Sequence, residues 1–473
     1  MNLHRHRYKL TGWLQILLLA ITTAGLATPA NADRMDRFDE LAKDLKLKRS
    51  KNTGKGMPSI RGPFPDTAGL EFLGQLTNAE LGASRLVFTG ASFLSDIWGW
   101  TDTVTDEEGI THTEEYVIVG TSSGVSFVRV TDPTKPEFLG LVPTTNPDTL
   151  RNFWWDIKSY NNYAYWTTEV NNAGVAIFDL TRLRGLVASS PETKLVANTY
   201  YHGDDGDYIR AHNISINEDT GFAYLTGVSM DDPGFTDDGL LILDLSDPLA
   251  PKEAGQILGI DSHDAQVVSY EGPDGDYKKG SEIAFVFNGE DLKVGIYDVT
   301  DKKNIVEIAT PTYPGASFTH QGWLTEDHRF LVVGDEEDEL FGISDPRNPD
   351  LPDTSRTYFF NVEDLNNPVF IGFFDSPAAA IDHNLFVKGD LVYQANYTAG
   401  VRVLDISDLA IDVNTVSEIA HMDTEPRLPN RNMNHNINIF IGPWGVFPYF
   451  DSGTIAASDG INGLILMKLN PVP

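Results

Sequence analysis

The stretch Gly239-Leu-Leu-Ile-Leu-Asp-Leu-Ser-Asp-Pro248 decides the fold of this chain. Its apolar run leads into Asp244, and Asp247-Pro248 then supplies a turn, which is typical of a short buried strand followed by a tight connection. The pattern recurs along the chain in the segments Gly124–Pro133, Gly174–Thr181, Val294–Thr300, Leu340–Pro346, Gly400–Ser407 and Gly463–Leu469. The copy at 340–346 is degenerate. A strand that returns in this way indicates a repeat architecture, either a propeller or a solenoid.

Each copy is the third of four short strands in a repeated unit. A first strand opens the unit, a second follows after a turn, as at Tyr116–Gly120, and a fourth follows the Asp-containing strand. The first strands are expected to start near residues that lie 51 to 63 positions apart: Asp96, Asp156, His212, His263, His320, His383 and His435. Seven units of four strands predict an all-β fold, a seven-bladed β-propeller.

The two ends of the repeat region each lack part of a unit. The last unit supplies only three predicted strands, at Asn436–Phe440, Thr454–Ala457 and Leu464–Met467. The segment Gly69–Leu76 looks like a fourth strand without its partners, since its Glu-Phe-Leu-Gly core recurs at 137–140. Pairing of this N-terminal strand with the last blade would close the ring and leave no exposed sheet edge, so residues 69–473 are expected to form one propeller.

The first 32 residues have the features of a secretory signal peptide. A basic start precedes a mostly apolar run from Leu10 to Leu26, and Ala30-Asn-Ala32 offers a cleavage site after its last residue. Residues 33–68 are charged and then rich in Gly and Pro, which predicts a flexible leader. No later run is apolar enough to span a bilayer. We therefore expect a secreted or periplasmic protein without an integral membrane segment after cleavage.

The composition narrows the classes of function. The formal net charge is −33, and removal of residues 1–32, which hold three Lys or Arg and no Asp or Glu, would change it to −36. Such a surface repels nucleic acid and favours cations or basic partners, so no nucleic-acid partner is expected. The chain has no Cys, which excludes disulfides, thiolate metal sites and a Cys nucleophile. We expect a monomer whose partner is an unidentified protein or small-molecule ligand.

Polar residues recur where the first strands begin, and first strands of a propeller surround its channel. One mouth of the channel is therefore expected to be ringed by Asp96, Asp156, His212, His263, His320, His383 and His435. A divalent metal ion is the cofactor that such a ring suggests, because converging imidazoles suit Zn, Cu, Fe or Ni. Its candidate ligands come from four consecutive blades: His212, His263, His320 and His383. The alternative is a structural role, in which each His hydrogen-bonds the backbone of a neighbouring blade.

The loops between second and third strands are expected to open on the same face. One of them, Asp335-Glu-Glu-Asp-Glu339, is strongly acidic. Acidic loops attract cations and lower the cost of holding one. The competing interpretation is a solvated loop in an acidic protein.

No motif of nucleophilic, nucleotide-binding or zinc-protease chemistry occurs in the sequence. The leading hypothesis is therefore a non-enzymatic, exported binding or scaffold protein whose ligand sits at the channel mouth. The alternative is a metal-dependent enzyme that uses the axial His ring.

The sequence also resembles a known family. The Gly239–Pro248 strand resembles the LVIVD repeat, and four His-bearing first strands look like those of the choice-of-anchor B family: Ala211–Ile214, Ser262–Gln266, Thr319–His328 and Asp382–Leu385. The resemblance covers roughly residues 69–473. It implies an exported bacterial protein, and it implies no particular activity. Members of that family vary in a C-terminal anchoring signal, whereas this sequence ends on its last predicted strand, so a surface anchor is not expected.

Overall fold

A computed structural model describes residues 59–85, 92–105, 107–145, 154–231, 238–339, 354–427 and 440–471. The expected signal peptide, most of the expected leader and His435 lie outside these residues. The degenerate repeat copy at 340–346 lies outside them as well.

The described residues form seven antiparallel sheets, each built around four strands, which confirms the predicted all-β propeller. In six of the sheets these four strands are consecutive in the chain. We number the sheets as blades 1 to 7 and the strands within each blade 1 to 4. Blade 1 comprises Leu94–Thr105, Thr111–Thr121, Gly124–Arg129 and Glu137–Pro143. Blade 2 comprises Trp155–Tyr160, Tyr163–Thr168, Val175–Asp179 and Thr199–Tyr201. Blade 3 comprises Asn213–Asn217, Phe222–Met230, Gly239–Asp244 and Lys252–Ile257, with Tyr208–Arg210 added at one end.

The remaining blades follow the same order. Blade 4 comprises Asp264–Ser269, Glu282–Asn288, Lys293–Asp298 and Val306–Ala309, and blade 5 comprises Thr319–Leu324, Phe330–Asp335, Arg356–Asn361 and Val369–Asp375. Blade 6 comprises Leu385–Lys388, Leu391–Ala395, Val401–Asp405 and Ser417–Met422. Blade 7 comprises Pro443–Phe447, Thr454–Asp459, Gly463–Leu469 and Leu70–Leu76.

Short 3-10 helices occur at three connections: Leu180–Leu183, Tyr397–Ala399 and Val413–Thr415. Within the part of the chain that the structure describes, no helix is long and apolar enough to cross a bilayer.

The blades form a closed ring around one axis. Strand 1 of each blade contacts strand 1 of the next, and strand 1 of blade 7 contacts strand 1 of blade 1. The hydrophobic core is divided accordingly into seven clusters, each wedged between two adjacent blades. The apolar residues of the repeated third strand explain this arrangement, because both faces of a blade must be covered by its neighbours.

The predicted ring closure is confirmed. Leu70–Leu76 is the fourth strand of blade 7 and pairs with Gly463–Leu469, so that Leu70 lies opposite Leu469 and Leu76 opposite Leu464. The Leu70 side chain is buried in the wedge between blades 6 and 7. Leu73 and Leu76 of the same strand pack on the cluster between blades 7 and 1, so the strand joins the last blade of the ring to the first.

Two strands of the ring lie later in the chain than the repeat pattern predicted. Strand 1 of blade 7 is Pro443–Phe447, and strand 3 of blade 5 is Arg356–Asn361. The predicted segments, 436–440 and 340–346, lie outside the described residues except for Phe440. Arg356–Asn361 lacks the Gly and Asp of the repeat, but its aromatic residues fill the same core position between blades. The side chains of this strand are therefore buried between blades even though the strand lacks the Gly and Asp of the repeat.

Part of the segment expected to be a leader is packed on the ring. Thr67–Ala68 pairs with strand 4 of blade 6, and the Phe64 side chain is buried between blades 6 and 7. Ile60 donates its backbone N–H to Asn462 over 2.7 Å. These contacts begin at least ten residues before Gly69, the expected start of the propeller.

We expect Leu70→Ala to lower the free energy of unfolding by about 2 to 4 kcal/mol, because it removes buried apolar surface and leaves a cavity at the closure. Ile411→Ala is the matched control, since Ile411 is 79% exposed, and it should stay within about 0.5 kcal/mol of the wild type. Urea denaturation followed by Trp fluorescence measures both. Equal effects of the two substitutions would show that the closing strand does not stabilise the ring.

Candidate metal centre

Four His side chains form a continuous arc at one mouth of the channel. They stand at the beginning of strand 1 in blades 3 to 6: His212, His263, His320 and His383. The centroids of adjacent rings are 4.3, 4.4 and 4.3 Å apart. Trp444 of blade 7 extends the arc, with its ring centroid 4.7 Å from that of His383. The sequence pattern did not indicate this Trp, because the predicted first strand of blade 7 lies too early in the chain.

Other polar side chains of the first strands accept hydrogen bonds from the backbone of the next blade. Strand 1 has no strand on its channel side, so its backbone N–H groups need other acceptors. Asp96 accepts from the N–H of Ile157 over 2.9 Å, and Asp156 accepts from the N–H of Ile214 over 3.1 Å. Gln266 and Gln321 do the same for Leu324 and Leu385, over 2.7 and 2.9 Å.

These bonds correct the expected equivalence of the Asp and His positions. Asp96 accepts from the residue directly after Asp156, and Asp156 accepts from the residue directly after Asn213. The counterpart of Asp156 in blade 3 is therefore Asn213 and not His212. Asp96 and Asp156 therefore lie one residue further along their strands than the His arc. Asp156 still lines the mouth beside His212, whereas Asp96 is buried beneath it and contacts Lys158.

Two of the His rings bond the backbone of the next blade, as the structural alternative predicted. The Nδ1 atom of His263 lies 3.1 Å from the carbonyl oxygen of His320, and that of His383 lies 2.5 Å from the carbonyl oxygen of Trp444. A carbonyl can only accept, so Nδ1 carries the proton in both rings. The Nε2 atom of a neutral His383 is then the unprotonated, ligating nitrogen, which is how a backbone carbonyl orients a metal-binding His.

Glu336 meets two members of the arc. Its Oε2 atom is 3.7 Å from Nε2 of His320, and its Oε1 atom is 3.6 Å from Nε2 of His383. All three side chains are buried, and one ligand atom from each lies within 4.8 Å of the others. Ligands bound at ~2.1 Å in a tetrahedron lie roughly 3.4 Å apart, so these separations suit one shared ion better than direct hydrogen bonds.

His212 and His263 do not belong to this group. His212 contacts a different carboxylate, with its Nδ1 atom 2.7 Å from Oε1 of Glu169. Glu169 and Glu336 occupy the same position, directly after strand 2 of blades 2 and 5. The acidic loop 335–339 was predicted to face the channel mouth, and Glu336 does so; Glu169 was missed. A carboxylate that directly follows a second strand is the signal that both residues share.

Tyr397 supports Glu336 from blade 6. Its hydroxyl donates to Oε1 of Glu336 over 2.7 Å, and its ring centroid is 5.0 Å from that of His383. The backbone of this buried residue has a φ of +33°, which is unusual for a bulky side chain and costs on the order of 1 to 3 kcal/mol. Strain of this kind concentrates at functional sites, because the surrounding structure must hold it in place.

The layer beneath the arc is charged and contains a cation of its own. Lys158 contacts Asp156 over 2.8 Å and Asp96 over 3.8 Å. Burial works to lower the pKa of Lys158, but these carboxylates hold it above its usual value. Burial raises the pKa of Asp264 to about 7, and Lys158 partly opposes this shift. The ammonium group therefore serves several carboxylates at once.

The space enclosed at the mouth is small. Its volume is about 20 Å³, enough for roughly one water molecule or a bare ion. The lining includes the four His of the arc together with Trp155, Asn384 and Trp444. A larger ligand must sit on the mouth rather than inside it.

No protein-family model matches this chain, and no curated protein sequence matches it. Solved structures resemble this chain at low sequence identity. The structure of U3-55K is 10% identical, with a TM-score of 0.48 over 86% of this chain and 100% of that one. A protein from Lactobacillus plantarum is 10% identical, with a TM-score of 0.43 over 77% and 88% of the two chains. Kuenenia stuttgartiensis hydrazine synthase is 12% identical, with a TM-score of 0.46 over 75% and 93%.

The raised pKa of Asp264 predicts a pH dependence of stability. The folded state keeps this proton up to about pH 7, whereas the unfolded chain releases it near pH 4, so the contribution of Asp264 to stability falls as pH rises through that window. Asp264→Asn should therefore gain roughly 1 to 2 kcal/mol relative to the wild type between pH 5 and pH 7.5. The exposed Asp219→Asn is the control for urea denaturation at both pH values. A constant difference between wild type and Asp264→Asn would contradict the shift.

Proposed function

We propose that this protein is a binding protein whose recognition surface is a transition-metal centre at the channel mouth. A propeller is a common scaffold for binding, since its loops and channel mouth present one face to a partner. The observation that carries the proposal is the convergence of His320, Glu336 and His383, which come from two adjacent blades and place three ligand atoms within 4.8 Å.

The donor set selects the class of metal. Two imidazole nitrogens and one carboxylate suit Zn²⁺, Fe²⁺ or Cu²⁺ better than Mg²⁺ or Ca²⁺, which prefer oxygen. The Tyr397 hydroxyl and the Trp444 carbonyl orient Glu336 and His383 in the way that outer partners orient metal ligands. Three protein ligands leave at least one coordination position for a group from the bound partner.

A second candidate is a metal-dependent enzyme at the same centre. The observation that favours it is the strained Tyr397 beside Glu336 and His383, since strain is a device of catalytic sites as well as of ligand clamps. The two candidates share the metal and differ in whether a bound ligand is converted. Incubation of the metal-loaded protein with a ligand identified by co-purification, followed by mass spectrometry of that ligand, separates them.

The metal centre is tested with tag-free protein and Co²⁺, whose visible spectrum reports nitrogen and oxygen coordination. We expect one Co²⁺ per chain in the wild type and at least a tenfold loss of affinity in His383→Ala and in Glu336→Gln, because each removes one of three ligands. Glu336→Gln keeps the shape of the side chain. His202→Ala is the control, since His202 is exposed and follows the outermost strand of blade 2.

Acidification should release the metal. A protonated imidazole cannot ligate, so affinity for Co²⁺ should fall steadily between about pH 7 and pH 5. If the His arc has only a structural role, the wild type holds no stoichiometric Co²⁺ and His383→Ala lowers the melting temperature without changing any metal spectrum.

We also propose that the chain is exported and that it belongs with the LVIVD-repeat proteins of the choice-of-anchor B type. The basic, apolar and Ala-x-Ala segments of residues 1–32 support export. Expression of the full sequence in a Gram-negative host should give a periplasmic protein whose N-terminus is Asp33, as read by mass spectrometry. An uncleaved protein in the membrane fraction would contradict export with cleavage.

A further inference from the structure

A second group of acidic side chains lies next to the His arc. Asp338 and Glu339 follow strand 2 of blade 5, and Asp382 directly precedes His383 in blade 6. Their exposed fractions are 0%, 0% and 1%. One carboxylate oxygen from each lies within 4.8 Å of the other two.

Most of these oxygens have no hydrogen-bond donor. Both oxygens of Asp382, both of Glu339 and Oδ1 of Asp338 lack a partner. The remaining oxygen, Oδ2 of Asp338, accepts from the hydroxyl of Tyr358 over 2.5 Å. Among the residues that the structure describes, no Lys or Arg forms an ion pair with any of the three carboxylates. Asp382 comes from a different blade, so its two bare oxygens point to a ligand independently of the loop.

Three such groups cannot all be ionised and buried without compensation. Their oxygens lie within 4.8 Å of one another and away from solvent, so ionised groups would repel each other and would have lost their hydration. Either protons or a cation must neutralise the cluster.

The loop that carries two of the carboxylates is held in place before any ion binds. Asp335 accepts hydrogen bonds from the backbone N–H groups of Ser317, Phe318, Glu337 and Asp338 over 2.7 to 3.1 Å, and from the Tyr313 hydroxyl over 2.8 Å. This bonding resembles that of an N-cap residue and fixes the start of the segment. A preformed loop lowers the cost of ordering ligands around an ion.

We propose that Asp338, Glu339 and Asp382 bind a Ca²⁺ ion. The donors are all oxygen, which is the preference of hard cations, and Ca²⁺ accepts irregular sets of carboxylates together with water and carbonyl oxygens. Oxygens on opposite sides of a Ca²⁺ at ~2.4 Å lie roughly 4.8 Å apart, which is the limit within which these three atoms fall. The inference is independent of the transition-metal centre, whose donors include nitrogen, although both sites share the Asp382-His383 segment.

The site is tested by thermal unfolding of the full chain at pH 7.5 in EGTA and in CaCl₂. At a Ca²⁺ concentration of about a hundred times Kd, the wild-type Tm should rise by roughly 3 °C. Tb³⁺ serves as a second probe, because the Tyr358 hydroxyl contacts Asp338 and can sensitise its luminescence. One Tb³⁺ per chain should bind, and Ca²⁺ should displace it.

Two isosteric variants separate the ion from an internal role of the carboxylates. Asp382→Asn and Glu339→Gln should abolish the Ca²⁺-dependent rise in Tm and the Tb³⁺ signal. In EGTA both variants should melt at or above the wild-type temperature, because each removes one buried charge. A merely structural cluster would instead give variants that melt lower in EGTA, and a wild type that does not respond to Ca²⁺; either result overturns the proposal.

Two further variants serve as controls. Asp276→Asn removes an exposed carboxylate and should leave the Ca²⁺ response unchanged, which rules out diffuse binding to the acidic surface. Glu336→Gln removes a ligand of the neighbouring centre and should also leave the response in place. Loss of the Ca²⁺ response in Asp276→Asn, or its retention in both Asp382→Asn and Glu339→Gln, would place the ion elsewhere and refute the site.

Discussion

The inner edges of the first strands impose the constraint on which the rest of this structure depends. Seven strands line the axis, and each presents backbone N–H and C=O groups toward a channel too narrow for another strand. The molecule satisfies them with side chains from the preceding blade: Asp96 and Asp156 accept from backbone N–H groups, as do Gln266 and Gln321. Polar residues at the channel are therefore a requirement of the ring itself, since an unpaired buried N–H costs as much as a lost hydrogen bond.

The same requirement prepares the His arc for chemistry. The His383 ring donates from Nδ1 to the Trp444 carbonyl, and this bond joins blade 6 to blade 7. It also fixes the tautomer, which turns the basic Nε2 atom toward Glu336. The structural interpretation of the arc concerns Nδ1 of the His383 ring, and the metal-binding interpretation concerns Nε2. The same ring can therefore fulfil both roles. A His at this position stabilises the ring, and the proposed metal centre uses only those His whose second nitrogen faces a shared carboxylate.

Two buried acidic clusters illustrate how charge decides between structure and binding. Beneath the arc, the protein supplies its own cation, since Lys158 lies 2.8 Å from Asp156 and 3.8 Å from Asp96. Beside the arc, Asp338, Glu339 and Asp382 are as deeply buried, and no basic side chain forms an ion pair with them in the described residues. The two clusters are equally buried but differ in internal cations, which is why an ion is proposed for the second cluster and not for the first.

The sequence alone determined the propeller, its seven blades and its closure by Leu70–Leu76, because the alternation of apolar strand and turn is a local property that repeats. It also placed His212, His263, His320 and His383 at one channel mouth. Tertiary structure alone decided which of them meet a carboxylate, since Glu169 and Glu336 reach the arc from the ends of strand 2 in blades 2 and 5. It also replaced the predicted first strand of blade 7 with Pro443–Phe447 and put Trp444 beside His383. Register along the inner strands set Asp96 and Asp156 one residue away from the arc, because hydrogen bonds between blades fix register and a sequence period cannot resolve a single residue.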